Sequence, residues 1–391
     1  EKGRTVRLDK ELEKQLQKYK ETLSAEEIGK LVKATENLLA YQEEESPKEE
    51  LEKIPVLSRE DISKEIAPIY NEEKEVDGIK LLHHNVDTNG IGYVTLMFDL
   101  SEVPEQKLPY AGMLQSVLGL VDTANYEYGD LFNEINVHTG GIGTSLELYA
   151  DVTKVKEKEF RATFEMKGKA LYPKVDVLFA MMREILMESK LEDEKRLKEI
   201  LSMLKSRLQM SFQSSGHTTA ALRALSYDSP LAKFKDDTDG IGFYQLVKEV
   251  EENFEEKKEE LISNLKEIAA NIFRADNMMV SYTSEEEGLK AVCEEIKKIK
   301  ISLYEEEKIG NAPCVIHCKK RNEGLKTSSK VQYVARVGNF IDHGAEYNGA
   351  LQILKVILSY DYLWQNLRVK GGAYGCMSSF NRIGEGYFIS Y

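Results

Sequence analysis

The feature that most constrains this chain is an ordered internal repeat. Gly92-Tyr93-Val94-Thr95-Leu96 returns as Gln332-Tyr333-Val334-Ala335-Arg336, and Tyr110-Ala111-Gly112 returns as Tyr347-Asn348-Gly349. Gly140-Gly141-Ile142-Gly143 returns as Gly371-Gly372-Ala373-Tyr374-Gly375. Both copies read strand, helix, glycine-led strand. A spacing this long means a duplicated domain, since solenoid units recur at about 20–50 residues. Strands and helices without strict alternation predict an α+β fold. The expected organisation is a helical hairpin linker over 1–73, a complete domain over 74–305 and the start of a second copy over 306–391. That second copy is expected to be incomplete.

The hairpin follows from local signals. Leu12, Leu16, Tyr19 and Leu23 fall at helical spacing, and Ser24-Ala25-Glu26-Glu27 is a capping box that restarts a helix through Ile28, Leu31 and Leu38. Pro47 opens a further helix. Downstream, strands are expected at 79–82, 92–98, 140–149, 160–166, 278–282, 315–318 and 331–337. Helices are expected near 174–190, 192–213, 217–227, 242–273, 286–299 and 346–367. Asn89-Gly90 reads as a hairpin turn between the first two strands. The chain opens without Met and stops inside a strand-like run at Tyr391, which reads as a piece cut from a longer chain. An unpaired edge there predicts dimerisation or aggregation.

Charge and cysteines narrow the function classes. With 53 basic against 67 acidic residues the net charge is −14, which argues against nucleic acid and anionic membranes as partners and permits basic peptides. No run reaches the roughly 18 apolar residues that span a bilayer. Four scattered cysteines suit a reducing compartment rather than a disulfide framework. None of the six histidines has zinc-site spacing. Cys314-Val315-Ile316-His317-Cys318 imitates a metal cluster, but on a strand His317 faces away from Cys314 and Cys318, so a buried strand is the expected reading. His217 is given no role beyond a place in the first turn of a helix.

One segment carries chemistry. The helix with Trp364 runs into Arg368, then Gly371 and Gly372, then Tyr374 at the head of a strand. Glycines let another backbone approach and leave an edge that an extended peptide can join. Arg368 offers a fork of donors and Tyr374 a phenol, groups suited to hold a peptide carbonyl or an oxyanion. The structural alternative pairs Arg368 with a nearby carboxylate and packs Tyr374 at the strand edge.

The run Leu367-Arg368-Val369-Lys370-Gly371-Gly372-Ala373-Tyr374, the stretch 322–340, the segment 215–229 and the hairpin together resemble the pitrilysin/insulinase family of zinc metallopeptidases. The nearest group is its presequence-protease branch, and the resemblance is to the C-terminal half. It implies duplicated sandwich-type α+β domains, the first of which carries the family's His-x-x-Glu-His in a part of the protein outside this chain. Ala111, Leu114 and Gln115 stand where those ligands would be, so this repeat is expected to hold no zinc.

The resemblance further implies an oligopeptide-degrading endopeptidase in the cytoplasm or an organelle matrix. This half would be inert alone and supply one chamber wall, with the N-terminal half of the same polypeptide as its partner. Arg368 and Tyr374 would anchor substrate and support the tetrahedral intermediate, while Gly371 and Gly372 shape the turn. The competing readings are a non-catalytic scaffold of the same superfamily and an acidic helical binding module unrelated to proteolysis.

Overall fold

The computed structural model describes residues 4–305 and 314–391, without the side chains of Arg4, Thr5 and Glu43. The chain divides into two compact units, Glu1–Pro68 and Ile69–Tyr391.

The first unit is helical: α1 (Arg4–Thr22), α2 (Ala25–Glu43) and a single turn, α3 (Lys48–Leu51). The capping box forms as expected. Ser24 Oγ accepts the Glu27 N–H, and Glu27 Oε2 accepts the Ser24 N–H at 2.8 Å, so two helix-end donors are satisfied reciprocally.

The second unit opens with β1 (Glu72–Val76), β2 (Ile79–Asn85) and β3 (Ile91–Asp99), followed by α4 (Leu108–Val117) and α5 (Tyr128–His138). Then come β4 (Ile142–Ala150), β5 (Phe160–Leu171), α6 (Val175–Met187), α7 (Glu194–Ser214) and α8 (Gly216–Leu225). α9 (Pro230–Asp239), α10 (Ile241–Glu252), α11 (Phe254–Ile272), β6 (Met278–Ser284) and α12 (Glu286–Ser302) complete the first copy. The second copy contains β7 (Val334–Asn339), α13 (Ala350–Ile357), a wider-wound continuation over Leu358–Val369, β8 (Cys376–Phe380) and β9 (Glu385–Ser390).

Six strands form one sheet in the order β1-β2-β6-β3-β5-β4, with β2 and β6 parallel and the other pairs antiparallel. Val94, Leu96 and Phe98 alternate into the core from β3, opposite Gly168, Met166 and Phe164 of β5. Alternation of this kind marks a sheet whose one face carries the core. Gly168 permits α6 to press down: a Cβ there would sit 2.7 Å from Leu178 and Met182.

The remaining three strands form a second sheet, β7-β9-β8. It repeats the β3-β5-β4 order strand for strand, antiparallel throughout. The internal repeat is therefore a repeat of topology. The helices agree as well. Gln115 Nε2 of α4 donates to the Thr144 carbonyl of β4, and Gln352 Nε2 of α13 donates to the Phe380 carbonyl of β8.

Several expectations need correction. β2 and β3 do not form a hairpin, because β6 lies between them; the turn at Asn89 and Gly90 (φ 55° and 78°) exists but leads across the sheet. The hairpin is β1–β2, closed by Asp77-Gly78 (φ 51° and 81°), whose Asp-Gly pair is a strong turn signal. Residues 314–321 are extended but pair in no ladder; their alternation survives, with Cys314, Ile316 and Cys318 half-buried and His317 exposed. The helix expected over 242–273 is two, α10 and α11, meeting at Asn253.

The last strand is not an edge. β9 is central in its sheet, so the premise for edge-driven association at Tyr391 is absent. Tyr391 continues the pairing, exchanging N–H and C=O bonds with Gly375 at 3.0 Å.

Candidate functional site

The helix beyond α13 ends in a glycine turn. Gly372 adopts φ 72°, a left-handed conformation that side chains resist. Nested bonds close the turn: the Ala373 N–H reaches the Leu367 carbonyl at 2.8 Å and the Gly372 N–H reaches the Arg368 carbonyl at 3.0 Å. Gly371 is needed for room, since a Cβ would lie 2.7 Å from the Leu367 carbonyl oxygen.

This turn brings the two expected site residues together. Arg368 Nη1 donates to the Tyr374 backbone carbonyl, and the guanidinium stacks over Trp364 with 4.4 Å to the ring centroid. That contact is i,i+4 on one helical face, a spacing already visible in sequence. The alternative partner for Arg368, a local carboxylate, is not what the geometry provides. Tyr374 projects outward, 76% exposed, immediately before β8. Gly371 and Gly372 are exposed beside it. Among the described residues β8 is an edge strand. Behind the turn, burial pushes the Cys376 thiol up while Arg368 pulls it down. A fork of donors and a phenol thus sit next to a strand edge, an arrangement that can take an extended peptide by strand addition.

The corresponding turn of the first copy also has a glycine at positive φ, with different closing bonds and different chemistry. Gly141 adopts φ 104°, matching Gly372, but the positions equivalent to Arg368 and Tyr374 hold Val137 and Gly143. Ala111 and Leu114 of α4 are fully buried, and Gln115 is bound to β4. Two of these three side chains have no donor atom and the third is engaged, so α4 does not fit a zinc ion.

His317 and Cys314 form no metal cluster either. His317 binds Glu105 through both its backbone N–H (3.0 Å) and Nδ1 (2.8 Å), while burial pushes the Cys314 thiol up to about 11.

The seam between the copies explains the segment 215–229. A Cβ on Gly216 would strike the Tyr333 ring at 2.4 Å, and His217 stacks on Tyr391 with centroids 4.8 Å apart. Arg223, buried in α8, pairs with Asp236 of α9 at 2.5 Å and with Glu323 at 2.7 Å. The Arg223 guanidinium holds the Glu323 carboxyl down at about 2. Sequence reasoning gave these residues no role; the legible signal was a lone arginine within a helix that carries no Asp, Glu or Lys.

Comparison with solved structures places the fold among peptidase M16-type domains. A peptidase M16 inactive domain from Pseudomonas fluorescens aligns with a TM-score of 0.50 at 13% identity, covering 82% of this chain and 74% of the other. A protease from Helicobacter pylori aligns with a TM-score of 0.53 at 14% identity, with the same coverages. The sequence is more specific. Residues 1–250 match the associated-domain family of peptidase M16, subfamily C, and residues 322–391 match the PreP C-terminal domain. The chain belongs to that peptidase-associated family and corresponds to the C-terminal half of pitrilysin-type peptidases of the presequence-protease branch.

Among curated relatives, Protein HypA of Clostridium perfringens is 38% identical over 391 residues, all of this chain and 40% of that protein. Presequence protease 1, chloroplastic/mitochondrial, of Arabidopsis thaliana is 28% identical over 378 residues, 96% of this chain and 35% of that protein. The chain spans well under half of either. Among the described residues no helix is long and apolar enough to cross a membrane.

Proposed function

We propose that this chain is the non-catalytic half of a zinc-dependent oligopeptidase. In this reading it forms one wall of the substrate chamber and presents Arg368 and Tyr374 to the peptide. The observation that carries the reading is their joint exposure on a glycine turn beside the edge strand β8. Arg368 anchors the substrate backbone through its remaining N–H donors. Tyr374 donates its phenolic proton to the carbonyl oxygen as negative charge develops there. Gly371 and Gly372 keep the turn thin enough for another backbone to pass. The zinc would be held by the N-terminal half of the same polypeptide, and the acidic balance of −14 favours basic peptides.

The test is peptide cleavage by the full-length protein. Arg368→Ala and Tyr374→Phe should each lower kcat/KM by about 10²-fold, as loss of one oxyanion donor does elsewhere. This chain alone should not cleave. Unchanged rates in both variants would refute the assigned roles.

A non-catalytic scaffold of the same superfamily is the second reading, favoured by the apolar filling of α4. His-x-x-Glu-His in the N-terminal half of the polypeptide, followed by a later Glu, would decide for the peptidase.

A further inference from the structure

Near the β1 edge of the first sheet, one histidine is buried in an unusual way. His83 of β2 is 0% exposed, yet its Nδ1 is sealed from solvent with no hydrogen-bond partner. Leaving such an atom unpaired costs about 1–3 kcal/mol, so an orphan of this kind calls for an explanation.

The tautomer follows from its neighbours. Nε2 lies 3.2 Å from both the Ser284 carbonyl oxygen and Ser284 Oγ. A carbonyl only accepts, and Ser284 Oγ gives its own proton to the Glu285 carbonyl at 2.8 Å. Nε2 therefore carries the hydrogen, and Nδ1 is left with a lone pair. A histidine whose second nitrogen donates to a backbone carbonyl is the arrangement that orients metal-bound imidazoles.

Two carboxylates converge on the same place. Glu72 is the cross-strand partner of His83 on β1, and Glu286 opens α12, which packs along β1, β2 and β6. One ligand atom from each of Glu72, His83 and Glu286 lies within 4.8 Å of the others. Both glutamates are exposed, so the cluster opens to solvent on one side and closes on the imidazole. Lys74 competes for the site, pairing with Glu72 Oε2 at 2.9 Å.

We propose that Glu72, His83 and Glu286 form a binding site for a divalent transition cation of the zinc type, with His83 Nδ1 as the nitrogen ligand. One imidazole and two carboxylates match the borderline character of such ions, and the solvent side leaves room for a water as fourth ligand. The ion would clamp the β1–β2 hairpin to the start of α12, at the opposite end of that helix from the Lys300–Asp77 ion pair that already ties the two together.

Cobalt(II) and zinc(II) are the probes, added to this chain of 391 residues after metal stripping. The expected result is one equivalent of Co²⁺ bound with visible bands of nitrogen–oxygen ligation and no thiolate charge-transfer band, which excludes the four cysteines. Zn²⁺ should displace it and raise Tm. Glu72→Gln and Glu286→Gln, both at exposed positions that folding tolerates, should each weaken binding by about tenfold or more and abolish the Tm rise. Lys74→Gln, which removes the competitor, should tighten it. Absence of a bound equivalent, a thiolate band, or affinity unchanged in both glutamine variants would overturn the proposal.

Discussion

The two copies of the repeat share a strand order and a glycine turn, but they use their helices in opposite ways. α4 is sunk in the core: Leu114 is 0% exposed and α7, α9, α10 and α11 pack over it. A Cβ on Gly112 would meet the Thr238 carbonyl of α9 at 2.4 Å. α13 is just as apolar in sequence, yet Leu354, the counterpart of Val117, is 40% exposed, and no comparable layer covers it among the described residues. The turns differ in the same sense. Val137 and Gly143 in the first copy give way to Arg368 and Tyr374 in the second. One copy packs its helix into the core; the other leaves its helix face open and carries Arg368 and Tyr374 at the turn.

This contrast is open to measurement. The largest effect is expected at the buried helix: Leu114→Ala should cost about 2–5 kcal/mol in urea denaturation, against less than about 1 kcal/mol for Leu354→Ala. Equal losses would mean that α13 is covered in solution.

The seam comes next. Glu323→Gln should cost about 1–3 kcal/mol, because Arg223 loses one of two charged partners. The fold holds the Glu323 carboxyl at about 2, below its ordinary value of 4.5. Its contribution is therefore present in full above about pH 4.5 and is lost as the pH falls toward 2. Urea midpoints between about pH 5 and about pH 2 should fall less steeply in Glu323→Gln than in the parent. Matching slopes would remove the seam from the account of acid stability.

The smallest effect tests the likeness of the turns. Gly141→Ala and Gly372→Ala should each cost about 1 kcal/mol, since both hold positive φ. A cost at only one position would show that the two turns are alike in geometry but not in constraint.

Much of the fold is legible in the residues themselves. Ser24 and Glu27 announce a cap, apolar alternation marks β3, β5 and β6, and three short matches announce the duplication. These signals have a common cause: each depends on neighbours within a few residues or on self-comparison. β1 escapes such reading because Glu72-Glu73-Lys74-Glu75 carries no apolar alternation; it is recruited by pairing with β2. α9 escapes it because Ala232, Phe234 and Asp236 are buried by contacts made elsewhere in the chain. Of the candidate site, the residues were legible and their meeting was not. Arg368 reaching the Tyr374 carbonyl depends on the Gly372 turn and on the wide winding of the helix before it.

Residue identity and local spacing were enough for most of the elements and the repeat, while the family and the positions on α4 that lack zinc donors came from the resemblance of whole segments. Long-range folding alone put β6 between β2 and β3 and β9 between β7 and β8. It alone buried Arg223 between Asp236 and Glu323, and it left His83 buried near two glutamates with Nδ1 unpaired. These outcomes depend on which distant segments pair, and a backbone hydrogen bond carries no mark in the sequence of the strand it will join.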